Sequence, residues 1–471
     1  MDYSLFDDTI AAPATVPGTG AVTLLRVSGP KALRIVSDVV KCESKSIEET
    51  PAGRIRYGVV YNESEEVVDE VLVSVFKAPH SYTGEDSAEI TCHASSFVAS
   101  EILRLLCTAG ARMASPGEFT RRAFVNGKMD LAQAEAVADV ISSSSSASLK
   151  VAINQLRGGF SSELKDIRSR LLEVASLLEL ELDFSEEDVE FADRPKLAAL
   201  LDEATSHVNS LASSFRQGNA IKNGVPVAIV GAVNAGKSTL LNALLGEERA
   251  IVSDIPGTTR DTVEETLVLD GILFRFIDTA GLREASDTVE QIGVSRSYKK
   301  LSEASVVLAV LDVSASEEEN ESSISDIVSK IDPSSQKLIV LFNKADILDG
   351  NINVSLLNES VSFTDNKVIK LYISAKTGFG LNSLRKALSA TQKDLTLDSD
   401  QTIVTNMRHF QALSETGSAL SRARASLSSG LTPDLIAEDL RSALYHLGTI
   451  TGEVTPDEVL GEIFGRFCIG K

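Results

Sequence analysis

The residues Gly231-Ala-Val-Asn-Ala-Gly-Lys-Ser238 have the types and the spacing to hold the phosphates of a nucleotide. Glycines let backbone N–H groups close around phosphate, and the first turn of a following helix adds positive potential. Lys237 can reach the β/γ-phosphates and Ser238 can ligate Mg²⁺. The apolar run Val225–Val230 precedes the loop and Thr239–Leu245 reads as a helix after it, the strand–loop–helix context this chemistry needs. Asp278-Thr-Ala-Gly281 follows another apolar run. Its carboxylate can hold the Mg²⁺ water shell, and the Gly281 amide can sense a γ-phosphate. Asn343-Lys344-Ala-Asp346 ends a further strand. The Asp346 carboxylate can accept two N–H bonds from guanine, a donor pair that adenine lacks. Ser374-Ala375-Lys376 supplies a backbone N–H for the guanine oxygen. Together these elements point to GTP.

Two questions stay open at the level of spacing. Pro256-Gly257-Thr258-Thr259-Arg260-Asp261 is the candidate switch loop, with Thr259 able to complete the Mg²⁺ shell. The residue after Asp278–Gly281 is Leu282, which cannot orient water as a Ras-like Gln does. Arg283, Glu284, Asp287 and Glu290 are all near enough in sequence to take that task, and spacing does not choose among them. Asn234 can ligate a monovalent cation beside the β/γ bridge or can merely cap the loop.

These residues need rigid elements to position them. Over residues 221–393 strands alternate with helices: Val225–Val230, Glu264–Leu269, Leu273–Asp278, Val306–Asp312, Lys337–Asn343 and Val368–Ser374. Such alternation predicts a largely parallel, doubly wound sheet with its ligand at the carboxyl ends of the strands. Residues 1–119 read as a separate α/β domain, with strands Ala21–Val27, Arg54–Tyr61, Val67–Phe76 and Ala88–His93 and helices Lys31–Val40 and Ser96–Thr108. Residues 120–220 and 394–471 carry apolar residues at helical spacing. The simplest arrangement is one discontinuous helical domain into which the nucleotide domain is inserted. Ser142–Ser146, a run of five serines, is read as a small-residue helix face.

The chain has 471 residues, 43% hydrophobic and 24% charged, which suits a soluble protein of about three domains. Its net charge of −22 argues against a non-specific polyanion binder. Four cysteines, Cys42, Cys92, Cys107 and Cys468, match no zinc spacing. No apolar run is long enough for a membrane span, and the acidic start Met1–Asp8 lacks a signal or transit pattern, so a cytoplasmic location is expected.

The nucleotide motifs resemble those of TrmE-Era-EngA-like P-loop GTPases. Three further signatures resemble the TrmE (MnmE) tRNA-modification GTPases in particular. They are Ser81-Tyr-Thr-Gly-Glu-Asp86, Pro116-Gly-Glu-Phe119 with Arg122-Ala-Phe-Val-Asn-Gly-Lys-Met-Asp-Leu-Ala-Gln-Ala-Glu-Ala136, and Phe467-Cys-Ile-Gly-Lys471. Translation and ribosome-assembly GTPases share the nucleotide motifs but not these three. The resemblance implies an N-terminal folate-binding and dimerising domain, a discontinuous helical domain and an inserted G domain. It implies a homodimer that works with a flavoprotein partner of the MnmG kind, which carries FAD, in a heterotetramer. The substrate would be the wobble uridine of certain tRNAs, receiving an aminomethyl-type group at C5. Hydrolysis would be potassium-stimulated and coupled to G-domain dimerisation.

Residue by residue, the resemblance implies potassium ligation by Asn234, Ser253, Ile255 and Thr258, and Mg²⁺ ligation by Ser238 and Thr259. It implies nucleotide contacts from Asn234, Ala235, Gly236, Lys237, Ser238, Thr239, Ser253, Asp254, Ile255, Pro256, Gly257, Thr258, Thr259, Asp278, Thr279, Ala280, Gly281, Asn343, Lys344, Asp346, Ser374, Ala375 and Lys376. Glu290 matches the Glu that orients the attacking water. Arg26, Glu89, Lys128 and Lys471 match the positions that bind 5-formyltetrahydrofolate. Cys468 matches a terminal Cys whose role is either nucleophilic or packing. Lys237, Glu290 and Cys468 are therefore the catalytic candidates. One departure is Ala21-Val-Thr-Leu-Leu25 before Arg26, where the family is richer in glycine.

Overall fold

The fold is taken from a computed structural model that describes residues 7–470, other than 17, 19, 44, 184–193, 247–264, 278–300, 302, 334–335, 349–360, 364–365, 393–401, 455, 466 and 468–469. The described chain gathers into two compact units. One comprises residues 1–138, 155–202 and 418–471, the other residues 139–154 and 203–417.

The first unit holds a seven-stranded sheet. Its strands are β1 (Ile10–Pro13), β2 (Val22–Ser28), β3 (Val40–Lys41), β4 (Arg54–Tyr61), β5 (Val67–Phe76), β6 (Ser87–His93) and β7 (Arg112–Met113), in the order β3-β4-β5-β6-β2-β1-β7. Along β5, Val71, Val73 and Val75 are buried while Glu70 and Leu72 are exposed, the period of two that gives a strand one wet face. The buried face packs on Ile35 and Val36 of the helix Ala32–Val39 and on Ile102 and Leu106 of the helix Ser96–Thr108. The Ser95 side chain accepts the Val98 amide and so caps the second helix. In the same unit the long helix Gly159–Asp183 packs along Pro433–Thr451. Arg168 pairs with Glu453 there at 2.9 Å.

The second unit holds β8 (Val225–Val230), β9 (Glu265–Leu269), β10 (Ile272–Ile277), β11 (Val306–Asp312), β12 (Lys337–Asn343), β13 (Val361–Phe363) and β14 (Asn366–Tyr372), in the order β13-β14-β12-β11-β8-β10-β9. The five central strands run parallel and the two edge strands antiparallel. Strand β11 is buried on both faces. Leu308 and Val310 point into one core, and Val307, Ala309 and Leu311 into the other. A near-continuous apolar strand is what a sheet covered on both sides requires.

The serine run differs from its sequence reading. One helix ends at Ser142 and the next begins at Ser146. Between them the Ser145 and Ser148 side chains cap each other's amides at 3.1–3.2 Å. Serine hydroxyls compete with the helix for backbone bonds, so the run makes a turn rather than a helix face. Strands β1, β3, β7 and β13 are too short to show a period in the sequence.

Candidate functional site

The phosphate-type loop leaves the carboxyl end of β8 and enters the helix Lys237–Leu245. Its shape depends on residues that tolerate unusual backbone. Gly231 has φ +152°, and an added Cβ would lie 2.1 Å from the Val310 carbonyl. Gly236 has φ +93°, and an added Cβ would lie 2.2 Å from Asn343 Nδ2. Asn234 sits at φ 63°, the left-handed region that Asn enters more readily than other non-glycine residues. Ala235 is buried, whereas Asn234 and Thr239 are exposed and Ser238 is half-buried. Lys237 Nζ donates to the carbonyls of Gly231 at 2.9 Å and Ala232 at 2.8 Å. Burial pushes its ammonium pKa down. An anion held by the loop would favour the charged form.

A second loop is tied to the first by one side chain. Asn343, at the end of β12 and 2% exposed, donates to the Ala235 carbonyl at 2.8 Å and accepts from the Ala375 amide at 3.0 Å. Phosphate loop, Asn343–Asp346 and Ser374–Lys376 thus form one hydrogen-bonded set. Within it, the buried Ser374 hydroxyl donates to Asp346 Oδ1 at 2.6 Å, and this bond holds the Asp346 carboxyl below the usual range. Asp346 and Lys376 face solvent. A fixed, ionised, outward carboxylate is what a paired N–H edge of a purine requires. Lys344 adopts φ 65° and its ammonium pairs with Asp312 Oδ2 at 2.5 Å.

Oxygen donors suit both implied cations. The Ser238 hydroxyl stands at the first turn of the loop's helix, and the Asn234 amide oxygen on the loop itself. Ser253, Asp254, Ile255, Pro256, Gly257, Thr258, Thr259, Asp278, Thr279, Ala280, Gly281 and Glu290 lie outside the described residues.

The first unit carries the other group of candidates. Arg26 and Glu89 are direct cross-strand partners on β2 and β6, bonded at 2.9 Å with about four-fifths of each side chain covered. The Arg26 guanidinium lies 5.1 Å from the Tyr82 ring centroid and 5.7 Å from that of Phe119, within cation–π range. Tyr82 is fixed by a 2.8 Å bond between its hydroxyl and Thr120, and burial pushes its phenol pKa up. Lys128 is exposed and donates to the Pro79 carbonyl at 2.9 Å. The C-terminal tail reaches the same region. Gly470 packs so closely on Pro13 that a Cβ there would lie 1.9 Å from its carbonyl, and Pro13 adjoins Ala12, the register partner of Arg26. Cys468 and Lys471 lie outside the described residues, between and beyond the placed Phe467 and Gly470.

Known proteins resemble this chain along nearly its whole length. Residues 9–128 match the family described as GTP-binding protein TrmE N-terminus, and residues 131–468 match the MnmE helical domain. A tRNA modification GTPase MnmE of Bacteroides thetaiotaomicron is 50% identical over 468 residues, covering 98% of this chain and 99% of its own. The chain belongs to the MnmE family of tRNA modification GTPases. Its Parabacteroides distasonis relative of the same name is 47% identical over 98% of this chain and 100% of its own. That of Flavobacterium johnsoniae is 48% identical over 98% and 99%. Among solved structures, the G domain of the T. maritima FeoB iron transporter aligns with 35% of this chain and 97% of its own, at 24% identity and a TM-score of 0.26.

As an MnmE-family member the chain is a GTP hydrolase, and GTP is the nucleotide of its loops. Its architecture is the family's mixed one, an α/β N-terminal part, a discontinuous helical part and a P-loop sheet. Among its described residues no helix is long and apolar enough to cross a membrane. Motif spacing singles out neither Tyr82 and Phe119 around Arg26 nor Asp312 beside Lys344. The first two stand inside the signatures Ser81–Asp86 and Pro116–Phe119, and that placement was the available signal. Asp312 had only its place at the end of a strand.

Proposed function

We propose that this chain is a potassium-stimulated GTPase that modifies the wobble uridine of certain tRNAs. Acting as a homodimer with an MnmG-like, FAD-bearing partner, it installs an aminomethyl-type group (carboxymethylaminomethyl) at uridine C5. The one-carbon unit comes from a formyl- or methylene-tetrahydrofolate, and the work is done in the cytoplasm. What carries this reading is likeness to tRNA modification GTPases over 98% of the chain, N-terminal part included. A GTPase switch of another kind would share the nucleotide loops alone.

The working parts are assigned as follows. Residues 1–119 are the folate-binding, dimerising domain, 120–220 and 394–471 the helical domain, and 221–393 the G domain. Lys237 and the loop amides of Asn234–Thr239 bind phosphate. Ser238 and Thr259 would hold Mg²⁺, and Asn234, Ser253, Ile255 and Thr258 would hold K⁺. These cations supply positive charge at the β/γ bridge, where charge develops during hydrolysis. Asp346 reads the guanine edge, and Ser374 keeps its carboxylate fixed. Glu290 orients the attacking water, the task Leu282 cannot perform. Arg26, Glu89, Lys128 and Lys471 bind the folate: Glu89 suits the amidine-like edge of a pterin, and the cations suit its carboxylate tail. Cys468 matches the family's terminal Cys, with a nucleophilic or a packing role.

Folate binding is the discriminating test. Calorimetry with 5-formyltetrahydrofolate and purified dimer should show stoichiometric binding that Arg26→Ala weakens. A well-folded dimer that binds none would leave only the switch reading.

A further inference from the structure

Asp312 lies outside the nucleotide motifs of the sequence, yet it pairs with Lys344, which stands inside one of them. It ends β11 and is the register partner of Asn343, the residue before Lys344. The left-handed backbone of Lys344 turns its side chain back toward β11, where its ammonium meets Asp312 Oδ2 at 2.5 Å. The other carboxylate oxygen is also committed. Asp312 Oδ1 accepts the Ser314 amide at 2.9 Å and the Ser314 hydroxyl at 2.6 Å. The Asp312 carbonyl accepts from Asn320 Nδ2 at 3.2 Å. Ser314 therefore holds the carboxylate, and Asn320 the backbone behind it, where they meet the lysine. Burial alone would raise its pKa, but its bonds to Lys344 and Ser314 pull it below the usual range, so it is ionised at neutral pH.

A free lysine side chain carries rotamer entropy. A ligand that must order it loses part of its binding energy. Lys344 lies between Asn343, which ties the two loops, and Asp346, whose outward carboxylate Ser374 fixes for the proposed guanine contact. Its position is thus part of the base-binding surface. We propose that Asp312 is a positioning residue of the GTP site, which pre-orders Lys344 and so lowers the cost of binding guanine nucleotide. This rests on the reading of Asn343–Asp346 as the guanine loop.

The test is the dissociation rate of a fluorescent GDP analogue from the full-length protein. Asp312→Asn keeps the Oδ1 acceptor for Ser314 and replaces the charged Oδ2 acceptor that meets Lys344 with an amide donor. It should speed dissociation about three- to fivefold, the scale of a partly exposed ion pair. In a Lys344→Met background, which keeps the aliphatic stem, Asp312→Asn should change nothing further. Asp312→Glu, which keeps the charge, should stay within about twofold of the parent. The ratio of GDP to inosine diphosphate affinity reports the Asp346 contact with the guanine amine, and Asp312→Asn should leave it unmoved. Parent-like dissociation in Asp312→Asn, an equal further loss in the Lys344→Met background, or equal losses in the Asn and Glu variants would each overturn the proposal. Failure of the parent protein itself to prefer GDP over inosine diphosphate would instead overturn the guanine-loop reading.

Discussion

In the proposed function, the potassium dependence of hydrolysis turns on Asn234. Its backbone is held in the left-handed region, where glycine is the ordinary occupant, so a side chain there needs a reason. We propose cation ligation by its amide oxygen as that reason. Asn234→Ala is expected to keep Mg²⁺-dependent nucleotide binding and to lose the rate advantage of K⁺ over Na⁺. Turnover measured in each salt checks this, and an undiminished advantage would remove the assignment. Glu290 stands at the same scale. Glu290→Ala should bind GTP with unchanged affinity and lose at least about a hundredfold in single-turnover hydrolysis, the low end of general-base contributions. Unchanged turnover would return the task to Arg283, Glu284 or Asp287.

At the scale of elements, two loops must act as one. Gly236 makes that possible because Asn343 passes where its Cβ would be. Gly236→Ala would strain a φ of +93° and displace the Asn343 amide from Ala235. Burying that amide unpaired costs about 1–3 kcal/mol. GDP affinity should fall at least about tenfold by calorimetry, since about 1.4 kcal/mol is tenfold, while the apo protein keeps its secondary structure. Parent affinity would show that the two loops bind independently. Much of this level was legible in advance. Strands β4, β5, β11 and β12 are long, apolar-rich runs, and their ends agree with the sequence reading residue for residue. The serine turn was not legible, because the same five serines suit a tight helix face as well as a capping turn. The Asp312–Lys344 pair was hidden for another reason. It depends on strand register and on one left-handed residue, neither of which leaves a spacing signal.

The whole molecule adds a pH dependence that belongs to its first unit. Arg122 is fully buried and meets Glu118 at 3.1 Å, Glu85 at 3.1 Å and Asp8 at 2.6 Å, and Arg112 shares Glu118 and Asp8 at 2.6 Å each. Burial alone would raise the pKa values of Glu118 and Asp8, but these arginines pull both below the ordinary range. A lowered carboxylate pKa stabilises the folded state fully above the unfolded value, about 4, and that stabilisation is lost as pH falls through the lower folded values. The first unit's thermal midpoint should thus be level from pH 8 to 5 and fall steeply below about 4. Arg122→Met, which leaves acids buried beside an apolar side chain, should cost about 3 kcal/mol in chemical denaturation and flatten that acid limb. A parent-like acid limb in this variant would place the sensitivity elsewhere. In the proposed function, GTP turnover in the second unit serves tRNA chemistry in the chain as a whole. The most direct measurement of that link is mass spectrometry of wobble nucleosides in tRNA from cells lacking the protein, complemented with the parent or with Lys237→Ala. The expected result is loss of the C5 aminomethyl-type uridines in the null strain, restoration by the parent and none by Lys237→Ala. A full complement of those nucleosides in the null strain, or full rescue by Lys237→Ala, would contradict it.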